Sequence, residues 1–118
     1  MTVFLVALGG VVGVLARYGL GTTVSGRGLP WMTLAINIAG SFALGFLLPL
    51  GDQLSAPVRN ALGVGLLGGF TTFSTFTVEV FYDTHSGDGG FALLYLAASI
   101  AGGIAAAALG YYAGRAVA

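Results

Sequence analysis

Four apolar runs, each about twenty residues long, constrain this chain more than any other feature. A helix that crosses a bilayer needs about 20 mostly apolar residues, because roughly 1.5 Å of rise per residue must cover about 30 Å of hydrocarbon. The first run covers residues 2–23, with Arg17 as its one charge. The second covers 30–50 and has none. The third covers 57–81 and carries Arg59 and Glu79 near its ends. The fourth covers 91–114 and again has none. Between them lie turn-rich connectors: Ser25-Gly26-Arg27-Gly28, Gly51-Asp52-Gln53, and the stretch from Asp83 to Gly90. The pattern predicts an all-α membrane protein of four transmembrane helices, forming one domain over residues 1–118. No cationic residue precedes the first run, so it reads as a retained helix rather than a signal peptide.

Composition identifies the solvent. Charged residues are 7% of the chain and hydrophobic residues 57%, whereas a soluble domain averages roughly 25% charged. So few charges cannot cover a water-facing surface, and membrane lipid must contact most of the outside. Net charge is zero, from four Arg, no Lys and four acids, which offers no basic face to nucleic acid. There is no Cys and a single His, His85, so thiolate and multi-histidine metal clusters within one chain are excluded. No nucleophile–base pair is in prospect, and an enzyme is not expected. His85 stands in an acidic turn with Asp83 and Asp88, which reads as a solvated loop. The 21 glycines would weaken helices in water. In lipid, small residues instead let helix backbones approach closely. Gly9, Gly13 and Arg17 share one face of the first helix, and Gly103, Ala107, Gly110 and Gly114 form a similar stripe on the fourth.

The chemistry gathers on the third run, which reads Gly68-Gly69-Phe70-Thr71-Thr72-Phe73-Ser74-Thr75-Phe76-Thr77. Paired glycines followed by hydroxyl residues make a poor continuous helix. A helix broken at mid-membrane needs protein or water to satisfy its freed backbone groups, and its released carbonyls suit a small cation. A plain kink satisfied by Ser and Thr side chains fits the same string. Phe73 and Phe76 are three apart and share a face, with Phe70 nearly in line. Such a stripe packs a core or faces lipid; alternatively its electropositive ring edges meet a small anion. Asn37 and Ser41 follow at one-turn spacing on the second run, and Tyr95 and Ser99 on the fourth. Asn37 suits an interhelical hydrogen bond or a polar cavity. Arg17 either snorkels to the interface or draws anions to a vestibule. Glu79 reads as an interfacial anchor closing the third helix. The span interiors are then free of carboxylates and of midplane cations, a lining that suits an anion that moves rather than one that is held.

These residues resemble the small bacterial and archaeal fluoride channels called Fluc, or CrcB. The likeness runs through nearly the whole chain: Gly9, Gly10, Gly13, Arg17 and Tyr18; then Thr33, Leu34, Asn37, Gly40, Ser41 and Phe42; then the string from Gly68 to Phe76; then Tyr95 and Ser99. It implies an antiparallel, dual-topology homodimer in the cell inner (plasma) membrane, with two fluoride pathways. Phe73 and Phe76 match the phenylalanines whose ring edges line each pathway. Gly68 and Thr71 match the positions whose backbone carbonyls hold a structural sodium ion on the dimer axis. Asn37 and Arg17 match vestibule residues, while Tyr95, Ser99, Thr75 and Glu79 match positions near a polar track. Met32 stands where the family often has Gly, and Gly103 at a position that can carry a hydroxyl in relatives. The glycine stripes are expected to help hold the two chains together.

The expected activity is therefore passive, gradient-driven export of fluoride from the cytoplasm to relieve its toxicity. A small-multidrug-resistance type of transporter would need a carboxylate within the first helix, and residues 2–17 contain none. A membrane scaffold subunit that transports nothing is the other alternative. Orientation is expected to be undecided. Arg59 and Arg115 lie on one side, against Arg27 and, if it snorkels, Arg17 on the other.

Overall fold

The computed structural model describes residues 1–23 and 30–118. The connector at Ser25-Gly26-Arg27-Gly28, with the Arg27 charge, lies outside the described residues. Among the described residues four helical stretches are long and apolar enough to cross a membrane, and there is no strand. The chain is an all-α, multi-pass membrane protein.

Helix α1 spans Thr2–Thr23 and α2 spans Trp31–Leu50, with Pro30 just before the first turn and its carbonyl accepting from Leu34 N–H at 2.8 Å. A 3₁₀ turn at Gly51–Gln53 leads into the third span. That span is built from several pieces: α3 (Ala56–Asn60), a π-helical stretch (Ala61–Leu67), α4 (Gly68–Phe70) and α5 (Ser74–His85). Helix α6 closes the fold at Gly89–Val117. The expected helical runs 57–81 and 91–114 are both shorter than the elements observed. The eight-residue connector expected from its polarity contracts to Ser86, Gly87 and Asp88. Local bonding explains this. Thr84 returns its hydroxyl to the Val80 carbonyl (2.9 Å), which keeps a polar residue inside the helix. Gly87 then takes φ +91°, and Asp88 N–H reaches the Asp83 carbonyl at 2.9 Å. A left-handed glycine just past a helix end turns the chain while satisfying the last carbonyls.

Glycine decides which helices meet. A Cβ on Gly13 would strike the Leu66 carbonyl oxygen and stand 2.9 Å from Phe70 N, so α1 runs backbone to backbone along the first half of the third span. A Cβ on Gly110 would strike the Phe42 carbonyl oxygen, which fixes α6 against α2 in the same way. Both stripes predicted from the sequence therefore meet neighbouring backbone within the chain, Gly103 excepted. The close helix packing read from the stripes is thus seen within the chain, at Gly9 and Gly13 and at Gly110 and Gly114. Buried side chains are few, namely Thr33, Ile36, Phe76, Ala92, Tyr95 and Ala106. All but Ala106 cluster where α2, α5 and α6 meet. Large apolar side chains such as Val3, Phe4, Leu93 and Ile104 stand exposed, as lipid contact demands.

Candidate functional site

Between α4 and α5 the backbone leaves helical geometry. Thr71 sits at φ −82°, ψ 159°, an extended conformation, and Ser74 begins the next helix. The groups released here are taken up by side chains. Asn37 Nδ2 donates to the Thr72 carbonyl and Thr72 N–H donates to Asn37 Oδ1, both at 2.8 Å. The amide of Asn37 thus stands in for a peptide group of the missing turn. In a continuous helix Thr72 N–H would go to the Gly68 carbonyl, so the Asn37 bond frees that carbonyl from its usual donor. Arg17 Nε donates to the Gly69 carbonyl at 3.2 Å. Arg17 is half-buried, and its Nε faces the interruption. Thr71 returns its hydroxyl to the Leu67 carbonyl at 3.0 Å, and Thr72 donates its hydroxyl to Thr75 Oγ1 at 3.1 Å. Gly68 and Thr71 border one cavity of about 250 Å³ together with Asn37, Ser41, Thr72 and Phe73.

The two phenylalanines take opposite environments. Phe73 is 77% exposed and Phe76 is 6% exposed. Their ring centroids are 6.0 Å apart, and Phe76 meets Tyr95 edge to face at 5.2 Å. Phe70 is not on their line. Its Cδ1 lies 3.5 Å from where a Cβ on Gly40 would stand, because the extended Thr71 resets the helical phase before α5 begins. Beyond Phe76 the site continues into polar side chains. Tyr95 donates its hydroxyl to Glu79 Oε2 at 2.7 Å, and Thr33 donates to Glu79 Oε1 at 2.9 Å. Ser99, one turn along α6 from Tyr95, has its Oγ buried with no hydrogen-bond partner among the described residues.

Two corrections follow. Glu79 does not close its helix, because α5 runs on to His85. It is a half-buried carboxylate inside the span, held by two hydroxyls, so the expectation of carboxylate-free interiors fails. Thr33 joins the site residues expected from the sequence: Thr33, Asn37 and Ser41 recur at i, i+4 and form one polar stripe on α2. His85 is exposed and stacks on Phe81 with centroids 5.6 Å apart. No group of three His, Cys, Asp or Glu suited to a metal ion occurs among the described residues.

The model of the CrcB-like protein family, also described as camphor resistance (CrcB), matches residues 4–111. The chain belongs to that family. A protein of Thermus thermophilus is 48% identical to it, over 96% of this chain and 94% of its own length. One from Chelativorans is 43% identical over 96% of this chain and 95% of its own length. One from Magnetococcus marinus is 43% identical over 98% of each. All three bear the name fluoride-specific ion channel FluC. The matched stretch includes every residue described above, from Arg17 to Ser99.

Proposed function

We propose that this chain forms a passive, fluoride-selective channel in the cell inner membrane and lets fluoride leave the cytoplasm. The observation that carries the reading is the exposed Phe73 ring beside a cavity whose polar wall is neutral, made of Asn37, Ser41, Thr71 and Thr72. Fluoride is small and strongly hydrated, so leaving water requires many donors at once. Ring edges, hydroxyls and an amide N–H supply partial positive charge without a formal cation that would hold the ion. Phe73, Phe76 and Thr75 lie on the interruption and the helix it starts, Asn37 on α2, and Tyr95 and Ser99 on α6. Arg17 adds a positive charge near the Gly69 carbonyl. The names of the relatives agree with this choice of ion.

The reading includes an antiparallel homodimer with the interruption at mid-membrane. Two copies related by a two-fold axis in the membrane plane form a closed pair. They would bring the Gly68 and Thr71 carbonyls of both chains together. Oxygen-only ligation by carbonyls fits sodium, a hard cation. Gly68 is exposed and its carbonyl has lost the Thr72 donor, so the donor set present suits that ion. Bound there, sodium would neutralise converging carbonyl dipoles and tie the pair together. Arg59 and Arg115 on one side stand against Arg27 and Arg17 on the other, a tie that gives the insertion machinery no clear instruction. A Cys placed at the C-terminus of this cysteine-free chain should be labelled from both faces of the cell membrane; labelling from one face alone would rule the antiparallel pair out.

The activity is tested in sealed liposomes loaded with fluoride or chloride, with efflux followed by ion-selective electrodes. Fluoride should leave without ATP or a proton gradient, and chloride far more slowly. Equal rates, or no fluoride release, would refute the proposal.

A further inference from the structure

Helices α2 and α6 run side by side in the same direction and present their polar stripes in register. Thr33 and Tyr95 meet at Glu79. Two turns further on, Ser41 Oγ lies 3.7 Å from the point a Cβ on Gly103 would occupy. Between those levels, one turn along each helix, come Asn37 and Ser99. Each level therefore carries a polar side chain from both helices, except the last, where α6 carries Gly103 and no side chain. Ser41 also borders the cavity shared by Asn37 and the exposed Phe73 ring. The Ser99 hydroxyl one turn before Gly103 is buried and unpartnered among the described residues, a donor left with nothing in the protein to bind.

We propose that Ser41 is a fluoride-contacting residue, its hydroxyl supplying from α2 the donor that α6 lacks at Gly103. The inference rests on the fluoride-channel reading and deepens it. An ion that leaves Asn37 and Phe73 meets the Ser41 hydroxyl before its path runs out of donors on the α6 side. Serine offers one O–H that rotates freely, so it can follow a moving anion. The gap at Gly103 makes the role transferable: a serine there would project its Cβ into ordinary contact distance of Ser41, without backbone conflict.

The test uses the full-length protein in fluoride-loaded liposomes. Efflux from the unaltered protein comes first, and its absence would defeat the channel reading itself rather than this inference. Given efflux, Ser41→Ala should slow it by about tenfold, the worth of one hydrogen bond to an ion. The assembly should keep its mass in detergent. Ser41→Thr, which keeps the hydroxyl, should stay near the starting rate. Adding Gly103→Ser to Ser41→Ala should recover most of the lost rate, because the hydroxyl is returned from the opposite helix. If Ser41→Ala disturbs folding, Ser41→Cys keeps the volume with a much weaker donor and should slow efflux in the same way. Full efflux in Ser41→Ala or Ser41→Cys would overturn the proposal. So would a loss that Gly103→Ser does not repair, since a merely packing role would respond in that way.

Discussion

The two halves of the third span are held by different means. From Ala56 to Phe70 the chain is rich in glycine, partly π-helical, and pressed backbone to backbone against α1. From Ser74 to His85 it is rich in hydroxyl and aromatic residues and meets its neighbours through side chains: Phe76 on Tyr95, and Glu79 on Thr33 and Tyr95. Backbone contact tolerates almost no adjustment, because neither surface has a rotamer to change. Side-chain contact leaves rings and hydroxyls able to turn. The first half therefore fixes where the carbonyls of Gly68 and Thr71 lie. The second half carries Thr75 and Phe76, two of the groups proposed to line the ion's path. Asn37 joins the two by closing both of its amide bonds on Thr72.

The contrast predicts the heaviest damage in the first half. Gly13→Val places a branched side chain against the Leu66 carbonyl and Phe70 N, where no side chain can yield. Overpacking costs about 1–3 kcal/mol even where side chains can move, so the folded assembly should be lost on size-exclusion chromatography. Gly19→Ala in the same helix, with nothing within 4 Å of the new Cβ, should melt no lower than the unaltered protein. Equal tolerance of both changes would mean that backbone contact with α1 does not hold the first half in place.

The junction comes next. Asn37→Ala strips Thr72 N–H and C=O of their partners, and unsatisfied backbone groups cost about 1–3 kcal/mol. The melting midpoint should fall and efflux with it. A variant as stable as the parent would mean that the interruption is held by something other than Asn37. Smaller still is Phe76→Ile, which keeps apolar bulk but gives up the edge-to-face contact with Tyr95. Such pairs contribute about 0.5–1.5 kcal/mol, so a modest drop in melting temperature should accompany any loss of efflux.

Much of the architecture was readable because lipid imposes a simple rule on length and polarity. The runs 2–23 and 30–50 meet the observed α1 and α2 to within a residue. The third span ends later and the fourth begins earlier than polarity indicates, because Thr84 bonds back into its helix and Gly87 turns the chain, both local effects that polarity does not report. Glu79 was misplaced for that reason: a carboxylate taken to lie at a helix end belongs to its interior once α5 reaches His85. The stripe Thr33, Asn37, Ser41 is present in the spacing, but the part Thr33 plays depends on its partner Glu79, which spacing does not give. The residues of both glycine stripes were legible, whereas what they pack against was not, since spacing gives a face and not its neighbour. The opposite environments of Phe73 and Phe76 depend on how α5 leans on α6 and could not be read from a three-residue interval.

Phe73 tests the account most directly, because it separates chemistry from packing. Its ring is 77% exposed, so replacing it should leave the fold untouched. Phe73→Ile keeps apolar volume and removes the electropositive ring edge. In liposomes, fluoride efflux should fall by at least about tenfold, the value of roughly 1.4 kcal/mol in a barrier, while the melting temperature and the mass of the assembly stay at parental values. Parental efflux from Phe73→Ile would contradict the account and return the ring to a lipid-facing or packing role.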